Sequence, residues 1–153
     1  MRKLFLTFFY AGLLPKAPGT WGTIAGAILG VGILHYFGLE TLFLAMVLIT
    51  IVAIKEIDKE ESESGIHDSS EIVIDEVAGI WLAMAMSGAT MIQIVLSVLF
   101  FRLFDIWKPS VIGRIDREVK GGLGVMGDDL LAGVFAGICS AGVYQALGYF
   151  NLI

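Results

Sequence analysis

The sequence predicts an all-α fold, a polytopic membrane helical bundle of about five spans with a re-entrant or interfacial N-terminal segment. Three observations lead there. Of the 153 residues, 57% are hydrophobic and only 16% are charged, with a mean hydropathy of +0.84, whereas soluble domains carry about 25% charged and roughly 45–50% apolar residues. The charges are gathered into a few segments that leave long stretches with none. One assignment of spans puts every Lys and Arg on the same side of the membrane.

The chain opens Met1-Arg2-Lys3-Leu4-Phe5-Leu6, like a signal peptide. No small-residue cleavage site follows, and Pro15 and Lys16 come instead, so this stretch reads as a retained cytoplasmic or interfacial segment. Residues 21–39 are uncharged and long enough to cross a ~30 Å hydrocarbon core. Residues 41–54 form a shorter second span, completed by the snorkelling stem of Lys55. Charge then rises sharply over 55–71, a wet loop or an exposed helical extension. Residues 77–101 are uncharged but interrupted by the turn formers Ser87-Gly88-Ala89-Thr90. We read a hairpin of two helices, 72–86 and 91–107, then a charged, glycine-rich loop over 108–127 and a last span over 130–153. Basic residues decide for the hairpin: Arg2, Lys3, Lys16, Lys55, Lys59, Arg102, Lys108, Arg114, Arg117 and Lys120 then share one side.

That topology brings Asp75, Glu76, Asp105, Asp128 and Asp129 to the cytoplasmic ends of helices. Carboxylates there either complement helix dipoles or hold a partner, Arg or a hard cation such as Mg²⁺. Adjacent acids at two helix starts, with Asp105 near the end of a third, favour the second meaning. Ahead of the first span, Pro15-Lys16-Ala17-Pro18-Gly19-Thr20-Trp21-Gly22-Thr23 reads either as an ordinary helix start or as an anion cradle. In a cradle, Lys16, Gly19, Thr20, Gly22 and Thr23 would surround a phosphate. Arg102 and Asp105 share a helix face, either as an intrahelical pair or as a phosphate-holding cation beside a metal-holding acid. Lys108, Arg114 and Arg117 extend the cationic set. His67 is a candidate acid or base near neutral pH; His35 and Cys139, in apolar segments, read as structural. The net charge of −5 argues against a nucleic-acid partner.

The motifs Ala17-Pro18-Gly19-Thr20-Trp21-Gly22-Thr23, Gly65-Ile66-His67-Asp68, Ile72-Val73-Ile74-Asp75-Glu76-Val77-Ala78-Gly79, Asp105-Ile106-Trp107-Lys108-Pro109, Asp116-Arg117, Gly121-Gly122-Leu123-Gly124-Val125-Met126, Asp128-Asp129 and Ala132-Gly133 occur in order. In them the chain resembles the phosphatidylglycerophosphatase A family over nearly its whole length, a single domain over 1–153. The family often has Ser where this chain has Thr23, which keeps the hydroxyl.

The resemblance implies a multi-pass enzyme of the bacterial cytoplasmic (inner) membrane with its active site facing the cytoplasm. It would act on a phospholipid in the membrane, removing the terminal phosphate of phosphatidylglycerophosphate with Mg²⁺ as cofactor. It also implies a metal or catalytic role for Asp75, Glu76, Asp105, Asp128 and Asp129. The nucleophile is then water, with Asp or His67 taking its proton, or an aspartate. No Cys-x5-Arg motif is present, which excludes a phosphocysteine. Two rivals are a CDP-alcohol phosphotransferase, whose Asp-x2-Asp-Gly-x2-Ala-Arg core is missing, and a small ion carrier, which needs acids near the bilayer midplane.

Overall fold

The structure, a computed structural model, describes residues 1–109 and 111–152, apart from the side chain of Asp116. Seven α-helices and no strand occur among the described residues: α1 (Arg2–Leu6), α2 (Pro18–Phe37), α3 (Leu39–Ser64), α4 (Ile74–Ser87), α5 (Met91–Trp107), α6 (Val111–Glu118) and α7 (Gly122–Tyr149). Local chemistry sets the boundaries. Pro18 opens α2 with its φ already helical. Gly38, at φ 86°, is the single residue between α2 and α3, and Gly65, at φ 71°, ends α3 in the left-handed conformation. The expected hairpin break is present: α4 stops at Ser87, and Thr90 caps α5 by accepting from the Gln93 amide while Gln93 Oε1 accepts from the Thr90 amide.

One of two alternatives is settled and one boundary differs from the sequence reading. The acidic stretch after Lys55 is the helical extension of the two alternatives, because α3 runs on to Ser64. The stretch read as a loop over 108–127 contains α6 and the first turns of α7, so Asp128 and Asp129 lie inside a helix rather than before it. Its glycines serve close packing. A Cβ on Gly122 would lie 2.2 Å from the Ile54 carbonyl oxygen, and one on Gly124 would lie 2.0 Å from that of Val119. Asp58 of α3 accepts from the Gly122 amide at 2.7 Å and so caps α7 from a neighbouring helix.

Helix α4 is the hub. Ten of its fourteen residues are buried, and α2, α3, α5 and α7 all pack on it. Glycines on α2 make the approach possible: Cβ atoms at Gly22, Gly26 and Gly30 would press on Val73, Val77 and Trp81 respectively. Trp81 Nε1 donates to the Gly26 carbonyl at 2.7 Å, a buried bond between the two helices. On α7, a Cβ at Gly133 would lie 2.4 Å from the Gly79 carbonyl oxygen, and one at Gly79 would lie 2.7 Å from that of Asp129. These two glycines mark the crossing of α4 and α7. At the other end of the bundle, the Ser87 and Ser97 hydroxyls are hydrogen-bonded at 2.7 Å, Ser97 donates to Ser140 at 3.3 Å, and Ser140 donates to the Gln93 carbonyl at 2.9 Å.

The outer surface is apolar where a soluble protein's is polar. Ile28 on α2, Leu44 and Leu48 on α3, Leu99 on α5 and Ile138 on α7 are all more than half exposed, a belt suited to hydrocarbon. By length and composition, α2 and α7 are the two helices fit to cross a membrane. Helices α4 and α5, at 14 and 17 residues, are about 21 and 26 Å long, short of a ~30 Å core.

The N-terminal segment lies against the charged end of α3. Arg2 pairs with Glu60 at 2.7 Å and with Glu63, and Lys3 pairs with Glu71 at 3.1 Å. The hydrogen bond from Arg2 holds the Glu63 carboxyl below its usual range. The Leu6 carbonyl accepts from the Val73 amide at 2.9 Å, which ties this segment to the residue capping α4.

Gly133→Ala tests the crossing. With its Cβ 2.4 Å from a backbone oxygen, it should lose about 1–3 kcal/mol and melt lower in detergent. Gly142→Ala, on the same helix with nothing within 4 Å of the added carbon, should be neutral or gain up to ~1 kcal/mol of helix propensity. Equal melting temperatures for the two variants would show that the crossing is not the tight point.

Candidate active site

At the end of the bundle where α4 and α7 begin and α5 finishes, a cavity of about 260 Å³ opens between five pieces of chain. The first turn of α2 contributes Pro18 and Gly19, and the connector before α4 contributes Asp68, Ser70 and Ile72. Helix α4 supplies Asp75 and Glu76, α5 supplies Arg102 and Asp105 with Lys108 at its C-cap, and α7 supplies Val125, Asp128 and Asp129.

The crossing of α4 and α7 explains the centre of this site. Asp75 stands four residues before Gly79 and Asp129 four before Gly133, so each acid lies one turn from its glycine on the same helix face. The close approach at the glycines therefore brings the acids together. Asp75, Glu76 and Asp129 each offer a carboxylate oxygen within 4.8 Å of the others. Asp75 and Asp129 are buried. Asp75 Oδ1 accepts from the Glu76 amide at 3.0 Å, whereas buried Glu76 Oε2 has no hydrogen-bond partner. Three converging anionic oxygens, one of them orphaned, are the donor set a hard divalent cation takes. Gly19 makes room for this arrangement, since a Cβ there would lie 2.2 Å from Glu76 Oε1.

Two cations line the same cavity. Arg102 Nη1 donates to Asp105 Oδ2 at 2.5 Å and to Thr23 Oγ1 at 3.3 Å, and Nη2 donates to Thr20 Oγ1 at 3.4 Å. Thr23, fully buried, itself donates to the Gly19 carbonyl at 2.8 Å. Lys108 Nζ pairs with Asp128 Oδ2 at 2.6 Å.

The cavity thus gathers Gly19, Asp75, Glu76, Arg102, Asp105, Lys108, Asp128 and Asp129 from the expected set. Others stand elsewhere. Thr20 and Thr23 face Arg102, so they hold the cation rather than surround an anion. Gly22 packs on Val73, and the Thr20 and Trp21 amides donate to the Ala17 carbonyl, so this helix start is not a cradle of inward N–H groups. Lys16, Arg114 and Arg117 are exposed and outside the cavity lining. His67 is exposed, does not line the cavity, and is hydrogen-bonded through Nδ1 to Glu61 Oε1 at 2.6 Å. The Asp116 side chain, part of the Asp116-Arg117 motif, lies outside the described residues. The sequence reading missed Asp68 and Ser70 as lining residues; the available signal was their place on the short connector leading into Asp75-Glu76.

Comparison with known proteins identifies the family. Residues 4–144 match the family Phosphatidylglycerophosphatase A. A Haemophilus influenzae protein named phosphatidylglycerophosphatase A is 37% identical over 84% of this chain and 79% of its own length. An Escherichia coli protein of the same name is 33% identical over 92% of this chain and 80% of its own. A Bacteroides thetaiotaomicron protein named putative phosphatidylinositol-3-phosphatase is 35% identical over 93% and 92%. No solved structure matches the chain. With the family match running from residue 4 to residue 144 and relatives above 30% identity over most of both chains, this chain belongs to the phosphatidylglycerophosphatase A family of phosphatases.

Proposed function

We propose that the chain hydrolyses the terminal phosphate monoester of phosphatidylglycerophosphate, giving phosphatidylglycerol and inorganic phosphate, at the cytoplasmic face of a bacterial inner membrane. The observation that carries this reading is the carboxylate trio Asp75, Glu76 and Asp129 lining one cavity with Arg102 and Lys108. The relatives' names support it from another direction, since both kinds of name describe release of phosphate from a polyol headgroup of a phospholipid.

The trio fits Mg²⁺ in donor type, and Asp75, Glu76 and Asp129 would hold it. When bound, the ion supplies positive charge to the phosphoryl oxygens in the transition state. The protein's own groups do the rest. Arg102 and Lys108 draw the phosphoryl group into the cavity, Arg102 with its guanidinium fixed by Thr20, Thr23 and Asp105. Asp128 keeps Lys108 turned inward. Water attacks phosphorus in line with the ester oxygen, and its proton passes to solvent through the cavity mouth. The P–O ester bond breaks, and the leaving alkoxide takes a proton from solvent at the cavity mouth.

For topology we read five passes, α2, α3, α4, α5 and α7, with the short α4 enclosed by its neighbours so that its length need not match the bilayer. Reporters fused after Lys59 and Lys120 should then be cytoplasmic and one at Ser87-Gly88 external. An external reading at Lys120 would refute the hairpin.

Asp75→Asn, Glu76→Gln and Asp129→Asn should each lower kcat about 100-fold or more at limiting Mg²⁺, roughly 2.7 kcal/mol of barrier, with partial recovery at high Mg²⁺ for at least one. In chelator their melting temperatures should be unchanged or higher, because each removes a charge from a crowded buried cluster. Asp128→Asn should raise KM more than it lowers kcat. Near-normal hydrolysis by all three trio variants at limiting Mg²⁺ would put the site elsewhere.

A further inference from the structure

The connector between α3 and α4 is the one wall of the cavity that the reaction outlined above does not use. Asp68 and Ser70 lie on it, both exposed and both lining the cavity with the trio. Asp68 has a left-handed backbone, φ 49°, a conformation adopted mainly where local bonds hold it. Here one carboxylate does so. Glu61 Oε1, mostly buried at the end of α3, accepts from the Asp68 amide at 3.1 Å and is bonded to His67 Nδ1 at 2.6 Å. Glu61 and His67 therefore lock the turn that aims Asp68 at the cavity.

A carboxylate and a hydroxyl at the rim are poor partners for a phosphate dianion but good ones for alcohol groups: Asp68 accepts from O–H, and Ser70 both donates and accepts. From this geometry we infer that Asp68 and Ser70 form a headgroup-reading subsite that selects lipid phosphomonoesters bearing a free hydroxyl on the carbon next to the phosphorylated one. The inference rests on the proposed phosphatase activity and deepens it. Phosphatidylglycerophosphate carries such a hydroxyl, and so does a phosphatidylinositol 3-phosphate. Phosphatidic acid does not, because its neighbouring oxygen is acylated. A missing hydroxyl would leave the rim groups without their partner, which is how a polar site rejects an analogue.

The test measures kcat/KM of the full chain in detergent on phosphatidylglycerophosphate, phosphatidic acid and 1-acyl lysophosphatidic acid, whose neighbouring hydroxyl is free. Wild type should prefer the first and third over the second by at least about tenfold. Asp68→Asn and Ser70→Ala should remove most of that preference by slowing the hydroxyl-bearing substrates, leaving phosphatidic acid within about twofold. Glu61→Ala should act in the same direction, and Glu61→Gln, which keeps an accepting oxygen, should restore selectivity. Equal rates of wild type on all three lipids, or an equal fall on all three in the variants, would overturn the subsite. Inactivity of wild type on every lipid would remove the phosphatase reading itself, and the subsite with it.

Discussion

The contact between Gly79 and Gly133 is the constraint on which this molecule depends. Two helices whose backbones meet with no side chain between them sit closer than side-chain packing allows. That closeness propagates one turn along each helix to Asp75 and Asp129, bringing their carboxylates within reach of a single small cation. Gly19 repeats the device on α2, where the missing Cβ leaves the space that Glu76 Oε1 occupies. Glycine is a poor helix former, about 1 kcal/mol worse than Ala per interior position. A chain with 19 of them among long helices has given up local stability for backbone proximity.

Proximity of like charges is costly. Two carboxylate oxygens 4–5 Å apart repel by a few kcal/mol at an effective dielectric of about 20, and burial adds the loss of water. The fold meets this cost with rigidity around the trio. Thr20, Thr23 and Asp105 fix Arg102, and Asp128 fixes Lys108, so neither cation collapses onto the trio. A cation swinging across would neutralise the cluster and close the cavity.

How much of this was legible in the sequence depends on which residues carried the signal. The break at Ser87-Gly88-Ala89-Thr90 was readable because its turn formers act locally, and α5 runs over 91–107 as expected. The gathering of Asp75, Glu76, Asp105, Asp128 and Asp129 at one end of the bundle followed from charge segregation, which needs only span lengths. The glycines at 121, 122 and 124 were read as a loop, because a sequence does not distinguish a glycine needed for its φ from one needed for its missing Cβ. The contacts of Thr23 and His67 were illegible in the sequence for a related reason. Their residue types permit phosphate or proton chemistry, yet partners distant in sequence, Arg102 for one and Glu61 for the other, had already engaged them.

The charge balance of the cavity bears on what enters it first. Its lining carries Asp68, Asp75, Glu76, Asp105, Asp128 and Asp129 against Arg102 and Lys108, a formal excess of four negative charges. A phosphomonoester near neutral pH adds up to two more. Arg102 and Lys108 are already paired with Asp105 and Asp128. On the proposed reading, a divalent cation bound before the lipid would offset the negative charge of the lining. In the proposed subsite, Asp68 would add attraction for an alcohol group at the rim.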